Sequence, residues 1–177
     1  MKIFRKLLTA IAAIIILLFV AGFILPKKIV TERSILIEAP VDSVFPQVSY
    51  FSNMSTWSPW NDYDPDMEIT YKGISGEVGS EYNWSGNKDV GKGNMTISAI
   101  EPNKRVDIKL SFVEPYESSS DIYFLFEDKG AQTEVKWGYF EKMKIPSNVM
   151  MAIMGVKKML NKEFDKGLVR LKERCEE

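Results

Sequence analysis

Residues 29–40 read IVTERSILIEAP. From Ile29 to Glu38 apolar and polar side chains alternate and β-branched residues are frequent, a pattern that predicts a β-strand with one buried face. The strand is expected to end at Ala39-Pro40, because proline donates no backbone hydrogen bond and restricts the residue before it. Apolar side chains then recur at helical spacing, at Val44, Phe45, Val48 and Phe51. The sequence therefore predicts that a strand followed directly by a helix opens the folded part of the chain.

This first helix is predicted over residues 41–51. We expect Asp42 or Ser43 to cap it, which places Pro46 in the first turn, where its missing N–H is harmless. A short second helix or turn is expected to follow over residues 53–60.

The middle of the chain reads as a series of β-strands joined by turns. In residues 105–113, RVDIKLSFV, every second side chain from Val106 to Phe112 is apolar, as in a sheet with one buried and one solvated face. Turns rich in glycine, asparagine and proline separate similar segments on either side. The predicted strands of this region are residues 67–72, 80–85, 92–101, 105–113, 121–127 and 133–141.

The C-terminal part of the chain predicts one long helix, which begins at Ser147 or Asn148 and ends near Arg174. A helix of roughly 27 residues is about 40 Å long. Its apolar stripe recurs every third or fourth residue, with lysines and arginines off it. The stripe consists of Val149, Ile153, Val156, Leu160, Phe164, Leu168 and Leu171.

The order of these elements, β-α-α-β6-α, predicts the fold class. We expect an α+β domain in which a curved antiparallel sheet of about seven strands wraps around the long C-terminal helix. A curved sheet that holds one helix tends to leave a gap, and such a gap is a natural site for an apolar ligand.

Residues 7–25 contain no charged side chain, and only Thr9 and Gly22 interrupt their apolar character. As a helix this segment is about 28 Å long, close to the ~30 Å hydrocarbon core of a bilayer. A cleaved signal peptide is the alternative, but its apolar region normally has about 7–15 residues and ends at a small-residue cleavage site. We therefore expect residues 1–28 to form a basic head and an uncleaved transmembrane anchor, followed by a ligand-binding domain over residues 29–177.

Positive charges flank the apolar segment on both sides, so the positive-inside rule does not decide its orientation. A short basic head commonly stays in the cytoplasm. We expect a single-pass protein of the bacterial cytoplasmic membrane with its soluble domain on the extracytoplasmic side.

The composition excludes several kinds of chemistry. The chain has no histidine, which removes Ser-His-Asp and Cys-His catalysis and most catalytic zinc sites. Its only cysteine, Cys175, can form neither an intramolecular disulfide nor a cysteine-based zinc site. The formal net charge of −1 lacks the basic excess of a nucleic-acid binder. Asp62-x-Asp64-x-Asp66 resembles the start of a calcium loop, but Met67 stands where an EF-hand needs glycine. We expect no metal, no cofactor and no nucleic-acid partner.

Short motifs stand in order along the soluble part, and they are Val30-x-x-Arg33-Ser34-Ile35-x-Ile37-x-Ala39-Pro40, Trp57-Ser58-Pro59-Trp60, Gly79-Ser80-x-Tyr82-x-Trp84 and Phe164-x-x-Gly167-Leu168-x-x-Leu171. Together they resemble the START-like superfamily (SRPBCC), and more narrowly its polyketide cyclase/dehydrase and lipid-transport group. The resemblance covers about residues 29–174 and implies the helix-grip fold of the birch pollen allergen. Members of the superfamily include lipid carriers, hormone receptors and aromatase/cyclases without a shared catalytic set, so the resemblance does not choose an activity.

Aromatic and methionine side chains are the candidate walls of the cavity. Tryptophan N–H and tyrosine O–H groups would orient a ligand there, and methionine fits irregular shapes. The alternative interpretation is that the same side chains only pack the core. The candidate ligand-binding residues are Trp57, Trp60, Tyr82, Trp84, Met95, Phe112, Phe124, Trp137, Tyr139, Met150 and Met154. No catalytic residue is assigned, because the sequence does not locate a pair of interacting carboxyl groups.

The sequence favours a membrane-tethered module that binds a hydrophobic small molecule or lipid. One alternative is an enzyme, a cyclase or dehydratase that acts on an aromatic or polyketide substrate through proximity and proton transfer. Another is a scaffold that acts through protein partners, which the sequence does not identify. The size and lining of the internal cavity distinguish these hypotheses.

Overall fold

The computed structural model describes residues 2–177 and contains a seven-stranded antiparallel sheet. The strands are β1 (Lys28–Ile37), β2 (Glu68–Lys72), β3 (Glu81–Ser85), β4 (Lys92–Glu101), β5 (Arg105–Glu114), β6 (Ser118–Asp128) and β7 (Thr133–Lys142). Their order across the sheet is β1-β7-β6-β5-β4-β3-β2, so the first strand pairs with the last one. The predicted α+β helix-grip architecture is confirmed.

Five helices and one 3₁₀ turn accompany the sheet. They are α1 (Lys2–Ile24), α2 (Val41–Ser49), α3 (Phe51–Trp57), a 3₁₀ turn (Pro59–Asp62), α4 (Ser147–Ile153) and α5 (Val156–Glu176). Of these, α2, α3 and α5 pack against the inner face of the sheet. The apolar stripe of α5 packs into the core through Leu160, Phe164, Leu168 and Leu171, all of which are buried. The core therefore lies between α5 and the sheet.

The strand β7 shows how the sheet presents side chains to this core. Every second residue from Val135 to Glu141 is buried, because alternate side chains of a strand point to the same face. On the neighbouring strand Phe124 stands opposite Trp137, and Ile122 stands opposite Tyr139. Both strands thus contribute aromatic rings to the inner face.

The structure corrects the first predicted helix in two respects. The helix ends at Ser49, and a second helix begins at Phe51 after Tyr50 takes an extended conformation. Pro46 lies inside α2 rather than in its first turn, because Pro40 takes the N-cap position and neither predicted residue caps the helix. Because proline has no backbone N–H, Pro46 cannot donate to the carbonyl oxygen four residues earlier, and α2 lacks that hydrogen bond.

The predicted long C-terminal helix is wrong as a single element. It is divided at Gly155, which has φ 65° and ψ 31° and so lies in the left-handed region. A residue with these angles ends a right-handed helix, and glycine adopts them without a steric penalty. The break turns α4 away from the axis of α5, and Ile153 of the predicted stripe is consequently 73% exposed.

The helix α1 contacts the domain only near its C-terminal end. Gly22 is its one buried residue among those described. An added Cβ at Gly22 would lie 2.8 Å from Ile145, so α1 approaches the segment before α4 closely. Asn148 on α4 donates hydrogen bonds to the carbonyl oxygens of Gly22, at 2.8 Å, and of Leu25, at 3.3 Å.

Candidate functional site: an internal apolar cavity

A cavity of about 340 Å³ lies between the inner face of the sheet and the helices α3, α4 and α5. Its walls are largely aromatic rings, aliphatic side chains and methionines, with serines, tyrosines and one glutamate as the polar groups. Pro115 and Tyr116 line one side, and Tyr116 is 73% exposed, so the cavity reaches the protein surface there.

All four tryptophans of the chain line this cavity. The indole nitrogens of Trp57 and Trp84 donate to the backbone oxygens of Gln47, at 2.9 Å, and of Val90, at 3.1 Å. These hydrogen bonds hold the two rings in place because a buried N–H without a partner is costly. Tryptophan fluorescence of this protein therefore reports on the cavity wall alone.

Trp137 is the centre of the aromatic cluster. Its ring is stacked on Phe164 of α5 with centroids 4.1 Å apart, and on Phe124 at 5.0 Å. Trp57 and Trp60 meet the same ring edge-on, at 5.6 and 5.7 Å. Stacked and edge-to-face contacts of this kind add to the stability gained from burial, so Trp137 joins the sheet to α3 and α5.

Two buried tyrosines bring hydroxyl groups into the lining beside the exposed Tyr116. Burial raises the pKa of Tyr82 above its ordinary value. Burial, followed by a hydrogen bond with Glu141, raises the pKa of Tyr139 in the same way. Both hydroxyls therefore stay protonated at neutral pH, and that of Tyr139 donates a hydrogen bond within the protein.

Glu141 is the one carboxyl group in the lining, as far as residues 2–177 show. The Tyr139 hydroxyl donates to its Oε2 at 2.6 Å. Glu141 is 6% exposed, and no lysine or arginine of the described chain lines the cavity with it. The cavity thus combines an apolar wall with a single tyrosine–glutamate pair.

Most of the candidate residues from the sequence come together in this lining, namely Trp57, Trp60, Tyr82, Trp84, Met95, Phe112, Trp137 and Tyr139. Phe124 lies outside it, because the Trp137 ring covers this fully buried side chain. Met150 and Met154 also lie outside it, 52% and 69% exposed, because the break at Gly155 turns them outward.

The sequence-based prediction missed several lining residues. Met151 and Met159 line the cavity, whereas the predicted Met150 and Met154 do not. Glu141 continues the alternation of Val135, Trp137 and Tyr139 along β7, so that pattern was sufficient to find it.

The acidic loop does not form a cation site in the described structure. Asp62 pairs with Lys166 at 2.5 Å and with Arg170 at 2.8 Å. Asp64 accepts hydrogen bonds from the backbone N–H groups of residues 66 and 87, at 3.2 and 2.6 Å. Among residues 2–177 no group of three or more histidine, cysteine or acidic side chains is arranged to hold a metal.

A second depression, of about 430 Å³, lies on the outer face of the sheet. Its charged groups are already paired, because Arg105 binds Asp107 through two hydrogen bonds of 2.7 Å. The Arg105 guanidinium also lies over the ring of Tyr123, whose hydroxyl donates to Glu32 at 2.5 Å. The internal cavity is therefore the better candidate for a ligand site.

A curved antiparallel sheet that holds a C-terminal helix over an internal cavity defines the helix-grip class of α+β proteins. Within that class, residues 28–176 match the family described as polyketide cyclase / dehydrase and lipid transport. The chain belongs to this family. No curated protein matches the chain significantly.

Solved structures share the fold at low sequence identity. The Aha1 dimer protein of Colwellia psychrerythraea is 19% identical with a TM-score of 0.60, over 84% of this chain and 96% of that one. Ara h 8.0201 is 14% identical with a TM-score of 0.56, over 81% of this chain and 97% of that one. The di-domain ARO/CYC protein BexL, from the BE-7585A biosynthetic pathway, is 14% identical with a TM-score of 0.62, over 89% of this chain and 53% of that one. At these identities the likeness shows the fold alone.

Proposed function

We propose that this protein is a membrane-tethered START-like domain that binds a hydrophobic small molecule or lipid. The observation that carries the proposal is the internal cavity of about 340 Å³ with its mainly apolar wall. Ligand pockets generally have volumes of about 300–1,000 Å³, and a smaller cavity would favour a scaffold filled by its own side chains. The family description, which includes lipid transport, agrees with a binding role.

The helix α1 supports the membrane tether. It is long and apolar enough to cross a bilayer, and 6% of its apolar window is buried in the protein. Large side chains near its end, such as Phe23 and Ile24, are 61% and 82% exposed. A surface of this kind is stable in lipid, whereas in water it favours aggregation.

The helix α4 extends this apolar surface. The hydrogen bond from Asn148 to Gly22 fixes α4 beside the end of α1. Met150, Ile153 and Met154 are exposed next to this contact. Because the apolar span of α1 ends at the same place, we propose that α4 rests in the interfacial region of the bilayer.

Two fluorescent labels test the tether in lipid nanodiscs. In a Cys175→Ser background, a label at Ile153→Cys should be quenched by spin-labelled lipids. A label at Ala131→Cys is the control, because Ala131 is exposed beyond the opposite end of β7, which is 10 residues or about 33 Å long. Equal quenching of both labels, or quenching of neither, would contradict the proposed arrangement.

The soluble domain is proposed to lie on the extracytoplasmic side of a bacterial cytoplasmic membrane. Protease added to intact spheroplasts should then digest the domain while a cytoplasmic marker protein survives. Protection of the domain until the membrane is permeabilised would place it in the cytoplasm.

Quenching of tryptophan fluorescence tests ligand binding, because every tryptophan lines the cavity. The apolar quencher 1-bromoadamantane should reduce the emission of the full chain in detergent in a saturable way. Val156→Phe, which narrows the cavity, should weaken this quenching. Val169→Phe is the matched control, since Val169 lies on the same helix, is 47% exposed and does not line the cavity. Quenching that does not saturate, or that both variants leave unchanged, would contradict binding in the cavity.

The pair Tyr139–Glu141 supports a second candidate function, a cyclase or dehydratase. A tyrosine hydroxyl 2.6 Å from a buried carboxyl group is a possible proton-transfer pair, and both groups line one cavity. The likeness to the ARO/CYC protein BexL is compatible with this function. The enzyme would convert linear poly-β-ketone thioester analogues into cyclic products that have lost water, a change that mass spectrometry detects. Unchanged analogues after long incubation would exclude this activity for the compounds tested.

A further inference from the structure

Two glutamates are buried beside a tyrosine, but only one of them faces the cavity. Tyr139 donates to Glu141 at 2.6 Å, and Tyr63 donates to Glu163 at 2.8 Å. The two glutamates are 6% and 2% exposed. Glu141 lines the cavity and Glu163 does not.

The carboxyl group of Glu141 is only partly satisfied. Its Oε2 accepts the hydrogen bond from Tyr139, whereas no residue of the described chain donates to its Oε1. Glu141 forms no salt bridge within residues 2–177, in contrast to exposed acidic residues such as Asp62. Unlike the enclosed and unpaired Oε2 of Glu163, Oε1 of Glu141 keeps some accessible surface, so a donor on a ligand in the cavity can reach it and form a hydrogen bond.

The rest of the lining offers uncharged donors, among them the unpaired indole N–H of Trp137, but no cation among the described residues. No lysine or arginine of residues 2–177 lines the cavity. The Tyr139 hydroxyl is already engaged by Glu141. A ligand that carries a carboxylate or phosphate into this space would lose its hydration and meet the oxygen atoms of Glu141.

We propose that the cavity selects an apolar molecule that carries a hydroxyl or amino group, and that Glu141 Oε1 accepts a hydrogen bond from that group. This inference rests on the proposed binding function and adds the chemical class of the ligand. Free fatty acids and other apolar anions should bind more weakly than uncharged molecules of the same shape, because no cation of the described chain lines the cavity. A site built around a buried hydrogen bond discriminates strongly against analogues that lack the matching group, because the polar atom of the protein then stays unpaired.

Matched bicyclic probes test this selection on the full chain in detergent. Decahydro-2-naphthol supplies a donor, its methyl ether lacks the donor, and decahydro-2-naphthoate is an anion with the same ring system. Binding is followed by the change in tryptophan emission. The alcohol should bind about tenfold or more tightly than the ether, the size expected for a hydrogen bond to a buried carboxyl group. The carboxylate should bind more weakly than the ether.

Substitution of Glu141 assigns the preference to this residue. Glu141→Gln should bring the alcohol and the ether to within about threefold of each other. The amide oxygen takes the hydrogen bond from Tyr139, and the NH₂ group left facing the cavity donates equally well to the oxygen of either probe. Glu141→Leu removes the acceptor and should have the same effect. Glu163→Gln is the matched control, because it changes a buried glutamate that is also paired with a tyrosine but lies outside the cavity. It should keep the full preference.

The outcomes separate this inference from the proposed function. Equal binding of alcohol and ether to the unchanged protein, or tight binding of the carboxylate, would overturn the selection by Glu141 and leave the binding function standing. A preference that survives both substitutions of Glu141 would also overturn it. Failure of all three probes and of the parent hydrocarbon decalin to bind would count against the binding function itself.

Discussion

Replacement of Gly155 by alanine tests the break between α4 and α5. Gly155 has φ 65°, and an added Cβ would meet no atom within 4 Å. The cost of Gly155→Ala is therefore conformational, about 1–2 kcal/mol for a residue with a side chain in the left-handed region. An unbroken helix would instead gain about 1 kcal/mol from the same change, because alanine favours a helix interior over glycine. Gly155→Ala should therefore lower the free energy of unfolding if the helix is broken at this residue and raise it if the helix is continuous.

The contacts of α4 decide which arrangement the variant adopts. An unbroken helix would lose the hydrogen bonds of Asn148 to α1, at about 0.5–1.5 kcal/mol each. It would also expose Val149, now 5% exposed, whose burial contributes about 1.5–3 kcal/mol. These losses, about 2.5–6 kcal/mol together, match or exceed the 2–3 kcal/mol by which the substitution favours an unbroken helix. The bent arrangement should persist and the variant should be less stable by about 1–2 kcal/mol.

Thermal unfolding of the full chain in detergent measures this loss. A decrease of 1–2 kcal/mol corresponds to a transition about 2–8 °C lower for a chain of this size. Gly130→Ala is the control, because Gly130 also has a positive φ of 80° with no atom near its Cβ, but lies in the turn between β6 and β7. Both variants should unfold at lower temperature by similar amounts. A Gly155→Ala variant that unfolds at or above the original temperature would refute the break and favour the single helix that the sequence predicts.

Three further predictions concern packing and ionisation. Trp137→Ala removes an indole that is 2% exposed and stacked 4.1 Å from Phe164. Urea unfolding should show that the free energy of unfolding falls by about 3–5 kcal/mol. A decrease below about 1 kcal/mol would contradict this packing. Burial raises the pKa of the Cys175 thiol to about 11. At pH 8 iodoacetamide should therefore alkylate the thiol of the folded chain roughly 100-fold more slowly than that of the unfolded chain. Equal alkylation rates would show that the thiol is accessible and its pKa unperturbed. Hydrogen bonds from Arg170, above all, lower the pKa of Asp62 from 3.8 to about 2, so the stability that this group contributes is present above pH 4 and is lost as the pH falls through 2. Asp62→Asn should therefore flatten the decline of the unfolding temperature between pH 4 and pH 2, and an unchanged decline would contradict the ion pair.

The sheet was predictable because apolar and polar side chains alternate along strands such as β5, a period of two residues that is typical of a half-buried strand. The predicted range 92–101 is β4 itself, and the range 105–113 differs from β5 by one residue. In the second of these segments burial, alternation and turn residues all indicate the same structure. Boundaries elsewhere shifted by a few residues, as for β6, which begins at Ser118 and not at residue 121.

The helices were harder to predict because their breaks depend on single residues and on tertiary contacts. Gly155 interrupts an apolar stripe that continues at helical spacing on both sides, and nothing in that spacing reveals a positive φ. The stability of the bend comes from Asn148 and its contact with α1, which lies 126 residues away in the sequence. Contacts of this kind are not visible in a local pattern.

The same break explains which part of the site was predicted. Aromatic candidates on strands, such as Trp84 and Trp137, lie in the lining, because strand alternation determines the face on which they lie. The methionines were misassigned, because extending one straight helix through Gly155 assigns Met150 and Met154 to the wrong side. Glu141 follows the same alternation, but its burial was not predicted because acidic side chains are rarely buried.

Native mass spectrometry of the full chain, released from detergent or nanodiscs after mild purification from its own membrane, tests the central proposal most directly. The proposal predicts a fraction of protein that carries one noncovalently bound molecule, which is apolar, bears a hydroxyl or amino group and is displaced by 1-bromoadamantane. Spectra that repeatedly show only the unliganded chain, together with no uptake of apolar probes, would contradict a ligand-binding role for the cavity.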